Sequence, residues 1–221
     1  REYKGNLDID IRRLRIAYSP TLGYADVDKE VAGCVKTAVD YLSELGAIVE
    51  EVDPGFKSPL DCFNKHWYAG AAHLLKQFAS EQQELMDPGF LEVAREGAQF
   101  SLAEYMTAVD QRVELAQRMN AFHDQYDLLV TPSLPCPAFK AGDPVADLQA
   151  QNRWPDWTPF TYPFNLTGQP ACSVPCGFTK AGLPVGLQLV GPQHADPLVL
   201  GVAHAFEAMR PFVTPDQPNP K

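Results

Sequence analysis

The sequence predicts an α/β fold, and three stretches predict it. A strand, helix, strand pattern opens the chain between Leu14 and Val52, a near-continuous apolar run spans Asp127 to Thr131, and two strand patterns flank Lys180-Ala181-Gly182. Strand, helix, strand units join parallel strands through a helix that packs back on the sheet, so the start of the chain reads as α/β.

Taken in order, Leu14 to Tyr18 is a short strand closed by Ser19-Pro20, where proline fixes φ and removes a donor. From Asp28, the apolar residues Val31, Val35, Ala38, Val39, Leu42 and Leu45 recur at helical spacing, and Gly46 stands where a left-handed C-terminal residue belongs. Ala47 to Val52 is the second strand. Leu60 to Phe78 and Leu102 to Phe122 read as long helices, separated by an Asp87-Pro88-Gly89 turn and a short helical piece from Leu91 to Glu96. Asp127 to Thr131, ending at Pro132, suits a strand buried on both faces.

The stretch from Pro132 to Pro163 is rich in proline and reads as an irregular loop; a segment of that length in a compact domain points to a cleft wall. Ala171 to Thr179 and Pro184 to Val190 then form a hairpin, expected to supply two core strands, with Gly182 providing positive φ. A last amphipathic helix carries Leu198, Val202, Ala205, Phe206 and Met209, with Asp196 as its expected N-cap and Pro197 as its first residue. The tail to Lys221 reads as irregular. The whole of 1–221 is read as a single domain.

Composition narrows the function. An apolar fraction of 45% with 21% charged residues is that of an ordinary folded protein. The net charge of −10 repels nucleic acid and anionic membrane surfaces, so neither is an expected partner. No stretch reaches the about eighteen apolar residues that a membrane span needs. Five cysteines, odd in number and scattered through apolar contexts, do not form a disulfide framework, and a cytoplasmic location is expected. Arg1 is an unusual first residue, so a further segment upstream is expected.

Nucleophilic serine chemistry requires a base beside the serine and donors for the oxyanion, often on a glycine-bearing turn. The chain has no Gly-Gly pair and no Gly-x-Ser-x-Gly, and its seven serines fall in turns, helices or strands, so they are read as structural. His66 and His73 share a helix face but lack an evident third ligand, and no metal site is expected. Cys172 and Cys176 read as small apolar core residues; Cys136, set between two prolines, is the cysteine to test for reactivity. Trp154, Trp157, Phe160, Tyr162 and Phe164 crowd a segment that also holds Arg153 and Asp156, a composition that suits either an apolar pocket with polar anchors or packing beneath the loop.

Two stretches carry more than periodicity. Asn165-Leu166-Thr167-Gly168-Gln169-Pro170, then Val174-Pro175-Cys176-Gly177, then Leu183-Pro184-Val185-Gly186-Leu187-Gln188 follow in order and at spacings that closely resemble the C-terminal hallmark of the amidase signature family. Asp127 to Pro132 before a proline-rich loop, and the opening strand and helix, extend the resemblance over nearly the whole chain. It implies the C-terminal half of a three-layer fold, with a mixed β-sheet covered by helices on both faces. It also implies hydrolysis of a small-molecule carboxylic amide through a serine acyl-enzyme, with no cofactor.

In that family the catalytic lysine, the glycine- and serine-rich loop and both serines lie N-terminal to the matched region, so no catalytic residue carries over onto this chain. The resemblance therefore implies a chain inactive by itself that supplies the substrate-facing wall, with the N-terminal half of the same amidase as partner. Trp157 and Phe160 are the expected apolar contacts to substrate, and Asp156 and Arg153 the expected polar ones. Exposed sheet edges would drive the isolated half toward its complement or into a homo-oligomer. Two other roles are an aminoacyl-tRNA amidotransferase subunit that hydrolyses glutamine, less suited to a Trp-rich loop, and a non-catalytic scaffold of the same fold.

Overall fold

The computed structural model describes residues 7–143 and 153–212. Parts of the proline-rich loop and of the tail, at 144–152 and 213–221, lie outside the described residues. Strand β1 (Arg15–Tyr18) leads through helix α1 (Lys29–Glu44) to β2 (Ile48–Glu51). Helices α2 (Leu60–Leu75), α3 (Ser80–Gln83), α4 (Pro88–Gly97) and α5 (Leu102–His123) follow. Strand β3 (Leu128–Pro132), a 3-10 turn (Trp154–Trp157), helix α6 (Tyr162–Thr167), strands β4 (Ala171–Phe178) and β5 (Pro184–Val190), and helix α7 (Asp196–Met209) complete the order.

The sheet order is β2-β1-β3-β5-β4. Strand β1 pairs in parallel with both β2 and β3, while β5 pairs antiparallel with β3 and β4, so the sheet is mixed. Side-chain alternation divides it into two faces. Ile16, Tyr18, Leu128, Val130, Leu187 and Leu189 point into a core closed by α1 and α7. Ala17, Leu129 and Val190 point the other way, against Cys62 of α2, Leu115 and Met119 of α5, and Phe164 and Leu166 of α6. The architecture is thus three-layered, helices on both faces of a mixed sheet, and β3 is buried along its whole length as its apolar run predicts.

Local rules account for the helix ends. Asp28 caps α1 by accepting from the N–H groups of Glu30 and Val31, and Gly46 follows its C-terminus at φ 97°. Ser101 and Glu104 cap α5 reciprocally: the Ser101 hydroxyl accepts from Glu104 N at 3.2 Å and the Glu104 carboxylate accepts from Ser101 N at 2.8 Å.

Four expectations need correction. Asp87-Pro88-Gly89 does not stand apart as a turn but opens α4, with Asp87 accepting from Phe90 N at 2.9 Å and Pro88 as first helical residue. Asp196 is inside α7, and Ala195 caps it without a side-chain hydrogen bond. The stretch 132–163 is not irregular throughout, since it holds the 3-10 turn and the start of α6. Finally, β4 is the sheet edge among the described residues and only in part a core strand: Val174 is in the core and Cys172 and Cys176 pack against it, while Ala171, Ser173, Pro175 and Phe178 are exposed; an edge tolerates Pro175 because no ladder bond is lost on the open side.

Candidate substrate cavity

A cavity of about 950 Å³ opens where the turn after β1, the start of α1, the approach to α2, the segment after β3 and the 3-10 turn converge. Its walls include Tyr24, Pro135, Cys136, Trp157, Pro159 and Tyr162. Trp157 is half-buried and meets Phe139 edge to face, with centroids 5.2 Å apart and planes at 85°, an arrangement that fixes an indole as a wall. Tyr24 and Tyr162 place hydroxyls in the same region: Tyr24 Oη donates to the Pro159 carbonyl oxygen at 2.8 Å, and Tyr162 Oη shares a hydrogen bond with Ser58 Oγ at 3.0 Å. Burial pushes both phenols up from their ordinary value, so both are protonated hydroxyls at neutral pH.

The lining also carries charge, from Asp26, Asp28, Glu30 and Asp156 and from Lys29 and Lys180. Asp28 is occupied as the cap of α1, and Glu30 accepts from the Lys180 backbone N–H at 2.6 Å, tying the hairpin tip to the start of α1. Asp156 closes the 3-10 turn on itself: its carboxylate accepts from Arg153 N at 2.7 Å, and its own N–H donates to Arg153 O at 2.9 Å.

The four residues expected to meet substrate have different fates. Trp157 and Asp156 line the cavity. Phe160 does not have the exposed position expected of it: its ring is fully buried in the core beneath the sheet, and its carbonyl accepts from Gln188 Nε2 at 2.7 Å. Arg153 is not among the lining residues, because its guanidinium turns to Glu96 of α4 at 2.7 Å and to the Tyr68 hydroxyl of α2 at 3.5 Å. Tyr162, one of the crowded aromatics of the segment, lines it as well, while Tyr24 and Ser58, which the sequence did not single out, reach it only through tertiary packing.

Motif residues gather at a smaller recess of about 250 Å³, lined by Asn165, Gln169, Ser173 and Gln188 among others. Gln188 is anchored there, donating both to Thr131 Oγ1 at 3.1 Å and to Phe160 O, which leaves its carbonyl oxygen as the remaining polar atom. Ser133 and Ser173 share a 2.6 Å hydrogen bond across Gly186, where a Cβ would stand 2.7 and 2.6 Å from their oxygens, so a larger residue there would displace this hydroxyl pair. A third opening of about 1070 Å³ lies between the segment preceding α2 and α5, and none of the four expected contact residues lines it. The 950 Å³ cavity is therefore the candidate site.

The described serines have structural partners: Ser19 with Asp53, Ser43 with the Val39 carbonyl, Ser58 with Tyr162, Ser101 with Glu104, and Ser133 with Ser173. Ser80 is the first residue of α3. His66 sits 3.2 Å from the Ala108 carbonyl oxygen and meets the Tyr105 ring at an interplanar angle of 75°.

Partial burial disfavours the thiolate at three half-buried cysteines. Cys172 is pushed up to about 11 and Cys176 to about 12, and Cys136 is raised as well, by burial first and by Asp28 second. At pH 8 a thiol with a value near 11 is ionised in about one molecule per thousand. Iodoacetamide at pH 8 is thus expected to label Cys172 and Cys176 at least about tenfold more slowly in the native chain than in urea. Peptide mapping reads the difference, and native-rate labelling at Cys176 equal to the denatured rate would overturn it.

Comparison with known proteins places this geometry. Residues 1–200 match the family model described as Amidase. An acylamidase of Rhodococcus erythropolis is 33% identical over 210 residues, which cover 92% of this chain and 44% of that protein. A glutamyl-tRNA(Gln) amidotransferase subunit of Moorella thermoacetica is 31% identical over 234 residues, covering 93% of this chain and 46% of that one. Among solved structures, a bacterial aryl acylamidase of the amidase signature family superposes with a TM-score of 0.82 at 25% identity, over 96% of this chain and 46% of its own. The chain thus spans about half the length of the curated relatives it matches. With the hallmark motifs gathered around one sheet edge and the match covering most of its length, the chain belongs to the amidase family.

Proposed function

We propose that this chain is the substrate-facing half of a serine-dependent amidase that hydrolyses a carboxylic amide carrying an aromatic or similarly bulky group. The observation that carries the reading is the cavity wall of Trp157 braced on Phe139, with Tyr24 and Tyr162 alongside, in a member of the amidase family. An aromatic wall buries apolar substrate surface at about 25 cal/mol per Å² and leaves the phenol hydroxyls to orient a polar group. Trp157 supplies apolar contact and Asp156 polar selection.

In this reading the N-terminal half provides the serine, its proton relay and the oxyanion donors. Water then completes the reaction, giving a carboxylic acid and ammonia or an amine. Binding alone does not remove the many kcal/mol that amide hydrolysis demands, so this chain by itself is inactive.

The test is to co-express the chain with an N-terminal half bearing the lysine and the glycine- and serine-rich loop, and to assay an anilide and glutamine in parallel. Anilide turnover that requires both halves is the expected result. Faster release of ammonia from glutamine would favour the amidotransferase role, to which the Moorella thermoacetica relative points. Turnover by this chain alone would overturn the division of labour, and ligand binding without turnover in the reconstituted pair would favour a scaffold.

A further inference from the structure

We propose that Arg153 is a positioning residue, a latch that holds the Trp157 wall of the cavity against the α2–α4 pair through Glu96 and Tyr68. This rests on the reading of the cavity as the amide-binding site. Arg153 Nη1 is 2.7 Å from Glu96 Oε2 and 3.5 Å from Tyr68 Oη, and the guanidinium lies over the Tyr68 ring, 5.8 Å from its centroid. One planar cation thus engages two helices through an ion pair, a hydroxyl and a ring face, a combination that an ammonium does not reproduce.

The anchor is rigid. At Gly97, next to Glu96, α4 approaches α2 so closely that a Cβ would stand 2.0 Å from the Tyr68 carbonyl oxygen. Glu96 and Tyr68 therefore belong to one packed unit, and Tyr68 is almost wholly buried. On the other side of the latch, the backbone of Arg153 is locked to Asp156 in both directions, and Thr158 closes the turn by donating from its hydroxyl to Pro155 O at 2.9 Å. Displacement of Arg153 therefore carries Asp156 and Trp157 with it. The far end of the segment has its own tie, the Tyr24 hydroxyl on Pro159 O. These ties, with the Phe139 ring on Trp157 and the Gln188 amide on Phe160 O, hold a segment that has a 3-10 turn and no strand or long helix of its own among residues 153–161.

The ion pair is not a stability device, because its side chains retain 46% and 39% exposure, where water and salt screen the attraction. Its consequence is geometric. Loss of the latch leaves the fold intact and lets Trp157 move, which weakens contact with an aromatic amide while a small amide is unaffected.

Two measurements test this. In a background where Trp67→Phe and Trp154→Phe leave Trp157 as the single fluorophore, acrylamide quenching of this chain reports exposure of the wall. Arg153→Met and Glu96→Gln are expected to raise the quenching constant about twofold. Arg153→Lys is expected to restore it in part, and Glu96→Arg with Arg153→Glu to restore it further. Circular dichroism confirms folding, and 1 M NaCl is expected to move the single-Trp parent toward Arg153→Met. In the reconstituted amidase, Arg153→Met is expected to raise KM for an anilide on the order of tenfold, with KM for acetamide and kcat unchanged.

Unchanged quenching in a folded Arg153→Met chain overturns the latch. So does an equal loss for both amides, which would mark a purely structural role. If the parent turns over neither amide, the amidase reading fails, while the quenching series still decides the latch.

Discussion

Gly97→Ala is expected to destabilise the chain by about 3 kcal/mol or more, at the upper end of what overpacking causes. The added methyl would stand 2.0 Å from the Tyr68 carbonyl oxygen and 2.2 Å from its carbon. Both are backbone atoms, so no side-chain rotation relieves the contact, and α4 has to move off α2. Usual helix propensity predicts the opposite, because alanine is favoured over glycine inside a helix by about 0.8–1.0 kcal/mol. The sign of the measured change therefore separates packing from propensity. A urea midpoint that falls sharply, with loss of the slow-exchanging amides of α2 and α4, is the expected result; an unchanged or higher midpoint would show that the helices are not in backbone contact.

Phe160→Ala is expected to cost about 3–5 kcal/mol, the range for emptying a buried aromatic site. Its ring has no exposed surface and sits in the lower core with Met119, Leu129 and Phe164. This prediction decides between the two roles the aromatic segment suggested. A substrate contact would lower affinity and spare stability, whereas a core residue lowers the unfolding midpoint of the unliganded chain. Trp157→Ala provides the contrast: half-buried at the cavity wall, it is expected to cost less stability and to act on binding of the aromatic amide.

Much of the framework was legible in the residues. The spacing from Val31 to Leu42 reports one face of a helix, and the run from Leu128 to Thr131 a strand covered on both sides, because burial repeats with the local period of the backbone. Turn chemistry located Gly46 and Gly182, both at positive φ. The ordered motifs from Asn165 to Gln188 pointed to the family. Where these rules erred, the errors were of context: β4 alternates like any half-buried strand, and nothing within it tells that no strand lies beyond it among the described residues.

The sequence by itself determined the α/β class, the order of most elements and the family, since each follows from periodicity, capping or a local motif. Only the tertiary structure decided which residues form the cavity and which support it. Trp157 and Phe160 stand three residues apart in one segment, yet one lines the opening and the other fills the core, because the 3-10 turn ends at Trp157 and the backbone changes direction through Thr158 and Pro159 before α6 begins. Arg153 turned from the opening because a carboxylate and an aromatic face, brought near by α4 and α2, offer a cation more than open solvent does. Such pairings join residues far apart in the chain, and local periodicity carries no information about them.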